Sequence, residues 1–464
     1  MALNRGCASL FVAALTVSAV AQQAGTWTVK PEWVRAHEEF LASDVMHGRG
    51  SATRDEEITA AYVASEFMSY GLKPAPSMQG YIQSAEVVQP ALDGHAALSA
   101  QSVSVTEGAD LQLLSSLGES VSGSLLHVAA KDAVTAKIDH NSVVLLSGLA
   151  AGKNAFSVVR SLWKQHPAMV VLEQGEAAQH IFEVFGGKTQ VAIHVKGVPP
   201  EFDTTIVALS GKVFSQLAAA KDGERVALAV HAIPQTAPRM TYNAIGYLEG
   251  SDPKSGTILL TAHLDHLGIA EAVNGDEIYN GANDDAAGTT AVLELAHALA
   301  AGPRLKRNVL FVCFGSEELG ELGSTYFGLH SPLPLKDLVA NLGFEMIGAQ
   351  DPNMPNGVLL MTGWERSNLG PALKEHGALL GPDPYPEQHF FERSDNYALA
   401  LKGVVAHTAA GWAAPPTYHQ PDDDMAHLDL PFMTAAIQSL IEPVRWLADS
   451  DFVPEWVPGG APKE

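Results

Sequence analysis

The chain has 464 residues, 47% hydrophobic and 17% charged, so it can bury a large core and lacks the composition of a disordered tail. Against 28 Lys and Arg stand 52 Asp and Glu, a net charge of −24 that would repel a phosphate backbone and argues against nucleic acid as a partner. The length accommodates two or three domains.

A charged start, the mostly apolar run Gly6–Ala21 and the small-residue exit Ala19-Val20-Ala21 read as a secretory signal over residues 1–21. Export to the periplasm or medium is therefore expected, with cleavage near Ala21. No later run approaches the roughly 20 apolar residues of a membrane span. Cys7 falls inside the signal and Cys313 stands alone, so the mature chain has no internal disulfide and must be stabilised by packing or metal.

From Trp33 to Ala75 the pattern is helical. Thr53-Arg54-Asp55-Glu56 reads as a capping box opening a helix through Ile58, Tyr62 and Phe67 to a stop at Gly71. Short β-like runs follow, Ser142–Leu146, Met169–Leu172 and Thr205–Leu209, with a helical stretch Asn154–Lys164 between the first two. Residues 91–235 thus read as a small inserted α/β or β-rich domain between the two parts of a main domain, 27–90 and 236–464. From Tyr242 apolar runs alternate with helical patterns, which predicts an α/β fold with a mainly parallel or mixed sheet and helices on both faces.

In such a sheet reactive groups collect past the carboxyl ends of strands. Thr257–Thr261 runs into His263-Leu264-Asp265-His266, Asn308–Phe314 into Glu317-Glu318, Leu338–Phe344 into Glu345, and Val404–Val405 leads toward Tyr418-His419. The loop Gly281–Gly288 opens the helix carrying Val292. Singly, each has an ordinary structural explanation as a cap, a solvated face or a satisfied core histidine. Together, two His and three carboxylates suit a pair of zinc ions with ligands at about 2.0–2.2 Å. Asp265, two residues from His263, is placed to accept from a metal-bound imidazole.

The motifs His263-Leu264-Asp265-His266-Leu267-Gly268, Asn280–Gly288, Ser316-Glu317-Glu318, Glu345-Met346-Ile347-Gly348, Arg393-Ser394-Asp395 and Tyr418-His419 resemble those of the secreted two-zinc aminopeptidases. The wider family includes glutamate carboxypeptidase and glutaminyl cyclase. The likeness is strong from Asn243 to about Leu430 and weaker over Trp33–Ala75, where Met46-His47-Gly48-Arg49-Gly50 resembles a recurring segment. It implies a three-layer zinc-exopeptidase fold holding two zinc ions, with Asp284 bridging, His263 and Glu345 completing one site, and Glu318 and His419 the other. Glu317 would be the general base, Tyr418 would face the oxyanion, Arg393 would bind substrate, and the Asp284–Asp285 peptide would be cis.

This chain departs from many relatives in Glu345 for Asp, Asn283 for an acid and Asn396 for His or Tyr. The insert resembles a protease-associated domain in texture. The implied function is hydrolysis of N-terminal residues from peptides, an ammonium being drawn to the carboxylates, while Arg393 leaves a carboxypeptidase in play. A glutaminyl cyclase on the same scaffold and a non-catalytic binding protein are the other rivals. No Gly-x-Ser-x-Gly elbow is present, and Gly187-Lys188-Thr189 lacks the first glycine of a phosphate loop, Phe182 standing in its place. Trp412, Phe391 and Phe432 are aromatic candidates for a side-chain pocket, although core is the commoner place for such residues.

Overall fold

The computed structural model describes residues 27–463 apart from 153, 201–202 and 234. The expected signal lies outside the described residues. Two helices, α1 (Pro31–Leu41) and α2 (Arg54–Ser69), lead in. Thr53 caps α2, its hydroxyl accepting from Asp55 N at 3.2 Å, and Gly71 follows the helix at φ +83, where a side chain would be strained. Glu56 does not close the expected capping box. Its carboxylate turns inward and is buried, accepting from Ala52 N, Thr241 Oγ1, Tyr242 N and Ser316 Oγ.

The main sheet contains nine strands: β1 (Ile82–Val88), β2 (His194–Val195), β3 (Arg239–Leu248), β4 (Thr257–His263), β5 (Asn308–Phe314), β6 (Leu338–Glu345), β7 (Leu359–Met361), β8 (Leu380–Pro382) and β9 (Ala406–Ala410). Their spatial order is β2-β1-β3-β5-β4-β6-β9-β7-β8. The four central strands β5, β4, β6 and β9 run parallel, and antiparallel neighbours make the sheet mixed. The last of these begins at Ala406, just after the expected Val404–Val405.

Every residue of β4 and β5 is buried, which explains their unbroken apolar runs: both faces are covered. Ile258, Leu260, Phe311 and Leu342 point to one side, under α1, α2, α3 (Ala287–Ala301) and α4 (Leu430–Asp449). Leu259, Leu310 and Val312 point to the other, against the short helices Leu322–Leu329 and Asn396–Ala400. Burying each such side chain is worth about 1.5–3 kcal/mol. Because β5 and β6 flank β4 on opposite sides, the winding reverses at the carboxyl end of β4, the place where α/β sheets open a crevice.

Between β1 and β3 the chain builds a second nine-stranded sheet. Its parallel core is Val121–Ala129, Ser142–Ser147, Met169–Glu173 and Thr205–Leu209. Helices Asn154–Trp163 and Glu176–Val184 cover one side, and Gly211–Ala218 covers the other. This segment has as many strands as the main sheet. A ribbon pairing Ala91–Leu92 with Ala232–Ile233 closes it, and β2 reaches out of it to pair with β1 at Val87↔Val195.

Candidate metal centre

The strand-end segments converge at the carboxyl edge of the parallel strands. His263 is the last residue of β4 and Glu345 the last of β6. Glu317 and Glu318 follow β5 through Ser316, held at φ +51. Asp284 enters from the loop before α3, where the Asp284–Asp285 peptide is cis.

The donors meet around Asp284. His263 Nε2 lies 3.2 Å from Asp284 Oδ1, and His419 Nε2 lies 3.3 Å from Asp284 Oδ2 and 3.2 Å from Glu318 Oε2. His266, given no role from sequence, joins them with Nδ1 2.8 Å from Glu318 Oε1 and 3.9 Å from Asp284 Oδ2. His266, Asp284 and Glu318 present ligand atoms within 4.8 Å of one another, the one such metal-capable group among the described residues. His263 Nε2 and Asp284 Oδ2 are buried without a hydrogen-bond partner. Buried polar atoms are normally satisfied, so convergent orphan nitrogen and oxygen donors are what a zinc site requires; the residues fit that metal. Glu345 contributes electrostatically to His263 and Asp284 and lines the adjoining pocket, and Ser394 hydrogen-bonds its carboxylate.

A tier of buried groups that sequence reasoning largely missed holds these donors. Asp265, expected as an acceptor for the His263 imidazole, lies beside it: Nδ1 meets the Asp265 backbone oxygen at 3.2 Å and stands 3.8 Å from its carboxylate. The Asp265 carboxylate also accepts from Glu317 N at 3.0 Å, Glu318 N at 3.3 Å and Ser51 Oγ at 2.5 Å. Asp285 Oδ1 accepts from Gly288 N and Met346 N, both at 2.9 Å, while its Oδ2 takes His263 N at 3.3 Å. Asp423 accepts from Asn283 N and Asp284 N, both at 2.9 Å. Its only signal in the sequence is the run Asp422-Asp423-Asp424 just after His419. Arg49, fully buried, donates to the carbonyls of Leu41, Leu264, Asn280 and Gly281. Asn283 Oδ1 accepts from Gly348 N at 2.8 Å, a contact an acid could also make.

Electrostatics separate the adjacent glutamates. Burial raises Glu317 well above the usual carboxylate range, with Glu318 adding to the effect and His263 opposing it. Burial and Asp284 would raise Glu318 too, but the imidazoles of His266 and His419 bring it down to about 2. Burial works against ionised Asp284 as well, yet His263 and His419 hold it well below the carboxylate range. Carboxyls driven apart in this way are suited to different tasks.

Beside Glu345 a small pocket of about 30 Å³ is walled by residues including Thr362, Phe390, Arg393, Ser394, Ala410 and Tyr418. Arg393 lies with its guanidinium carbon 5.2 Å from the Phe390 ring centre. Tyr418 stacks on His419 with ring centres 3.9 Å apart, and burial followed by the surrounding carboxylates raises its phenol. The aromatic candidates lie elsewhere: Phe391 packs in the core against Tyr397, His407 and Trp456, Phe432 is buried in the main core near Gly411, and Trp412 does not line the pocket. Phe390 takes the place expected of its neighbour.

A mixed α/β sheet with imidazoles and carboxylates gathered at its switch point is an arrangement that can hold metal. Residues 243–442 match the model of peptidase family M28. Leupeptin-inactivating enzyme 1 of Streptomyces exfoliatus is 34% identical over 113 residues, covering 24% of this chain and 24% of that protein. Aminopeptidase YwaD of Bacillus subtilis is 35% identical over 108 residues, covering 23% of this chain and 22% of that protein. These alignments span about a quarter of those relatives' lengths. Across nearly the whole fold, the aminopeptidase from Aneurinibacillus sp. strain AM-1 superposes with a TM-score of 0.51 at 18% identity, covering 94% of this chain and 96% of that one.

Proposed function

We propose that the protein is an exported exopeptidase with two zinc ions, removing N-terminal residues from peptides. The observation that carries the reading is the meeting of His263, Asp284, Glu318 and His419 beside a Glu317 carboxylate that forms no ion pair among the described residues. His263, Asp284 and Glu345 would hold one ion, and Asp284, Glu318 and His419 the other. When bound, such a pair polarises a carbonyl and makes water acidic enough to attack it near neutral pH.

The chain's own groups do the rest. Glu317 takes the proton of the attacking water and delivers it to the leaving amine, for which its raised affinity for a proton suits it. Asp265 fixes it by holding the backbone of Glu317 and Glu318. Tyr418 donates its hydroxyl hydrogen to the developing oxyanion, and buried carboxylates nearby favour a substrate ammonium. Arg393 bounds the pocket beside Glu345. The insert, clamped to the sheet edge through β2, shapes access as a protease-associated domain would. Export is supported by the apolar run Gly6–Ala21.

Aminoacyl-anilides should be cleaved and N-blocked peptides spared; cleavage of blocked peptides or C-terminal glutamates alone would overturn the aminopeptidase reading in favour of a carboxypeptidase. Glu317→Gln should keep the wild-type zinc content, measured by elemental analysis, while turnover falls by about 10²–10⁴-fold, the usual contribution of a positioned acid–base group. A wild-type protein that binds no zinc would support a binding protein instead.

A further inference from the structure

We infer that His266 is itself a metal ligand, its Nδ1 binding the ion assigned above to Asp284, Glu318 and His419; the inference rests on that reading of the site. Donor atoms sharing one zinc, each at about 2.0–2.2 Å from it, stand roughly 3–3.5 Å from one another. Nδ1 of His266 lies 2.8 Å from Glu318 Oε1 and 3.9 Å from Asp284 Oδ2, so it straddles that spacing. One short segment thus sets an imidazole beside each oxygen of Asp284, His263 at Oδ1 and His266 at Oδ2.

The ring is built in place. His266 N donates to Arg49 O at 3.2 Å, and its carbonyl accepts from Ser51 N at 3.2 Å. Gly281 packs on the ring so closely that a Cβ there would fall 2.5 Å from His266 Cγ. The residue is fully buried, and no partner meets its Nε2. A histidine kept only to hydrogen-bond Glu318 would carry that unsatisfied nitrogen with no return, whereas a metal bond to Nδ1 offsets the cost. The site would then draw two imidazoles and two carboxylates from the chain, and substrate or water would add a fifth position.

The test compares wild type with His266→Asn and His266→Ala, and with His419→Ala as the control for the same ion. Asparagine can keep the hydrogen bond to Glu318 but is a poor zinc ligand. Metals per chain and zinc affinity are measured by competition with a chelator, together with the visible spectrum of the cobalt(II)-loaded protein. Circular dichroism selects folded variants. Expected is selective weakening of one ion in His266→Asn, beyond the roughly 10–100-fold that losing an outer hydrogen bond costs, with a changed cobalt spectrum. His419→Ala should weaken the same ion. Wild-type affinity and spectrum in His266→Asn would overturn the inference while leaving the two-ion reading standing. Should wild type take up a single ion, the two-ion reading fails on wild type alone. The inference then stands if His266→Asn loses that ion and falls if it does not.

Discussion

Arg49, Glu56, Asp265 and Asp423 touch no substrate, yet they decide where the donors sit. Each is buried and spends its hydrogen bonds on backbone or hydroxyl groups of another segment, so an ionisable side chain acts as a clasp between stretches far apart in sequence. Such burial has a titration signature, clearest at Glu38 on α1, away from the metal donors. Its Oε1 accepts from Thr290 Oγ1 at 2.7 Å while Oε2 has no partner. Burial raises it to about 8 from 4.5, with Thr290 and Arg49 opposing. The folded chain therefore holds a proton that the unfolded chain has released between those pH values. Stability falls as pH rises from about 4.5 toward about 8, by an amount on the order of a few kcal/mol at 1.36 kcal/mol per unit. Glu38→Gln removes the titrating group, and the drop in melting temperature between pH 5 and pH 8 should shrink; an unchanged drop would place the titration elsewhere.

At the scale of elements, the register of α3 against β6 sets the spacing of the site. Gly288, in the first turn of α3, lies so close to β6 that a Cβ would stand 2.3 Å from Phe344 O and 2.3 Å from Asp285 Oδ2. Asp285 ties Gly288, Met346 and His263 together, so displacing α3 moves three donor segments at once. Gly288→Ala should cost about 1–3 kcal/mol of stability, as overpacking of a tight interior does, and lower turnover by more than ten-fold. Near-native turnover with normal stability would show that the contact relaxes at no cost. Much of this level was legible in the sequence: α2, β4, β5 and the parallel runs of the insert follow from periodicity, because an apolar pattern over one element specifies its own burial. The fate of Glu56 was not, since three residues after Thr53 it has the local look of a cap and only β3 and the turn after β5 reveal its partners.

For the molecule as a whole, the centre concentrates like charge: Asp284, Asp285, Glu317, Glu318 and Glu345 lie within one another's electrostatic reach. Cations that neutralise it stabilise the fold by linkage, about 2.7 kcal/mol for ligand at a hundred times its dissociation constant. Chelation should therefore lower the melting temperature by several degrees and zinc should restore it, read by calorimetry. No shift would mean that the metal adds nothing to folding. Among the described residues no helix is long and apolar enough to cross a membrane. Cys313 is buried in β5 as a free thiol.

What the sequence determined by itself was local: which residues end strands, which loop precedes a helix, and which side chains can bind metal, because chemistry and short-range periodicity are written in neighbouring positions. The tertiary structure alone decided which of those donors meet, that His266 stands among them, that Asp265 serves backbone amides as well as facing an imidazole, and that β2 of the insert completes the main sheet. Those outcomes depend on contacts between residues up to hundreds of positions apart, set by the order in which strands are laid into the sheet, and no local pattern encodes that order.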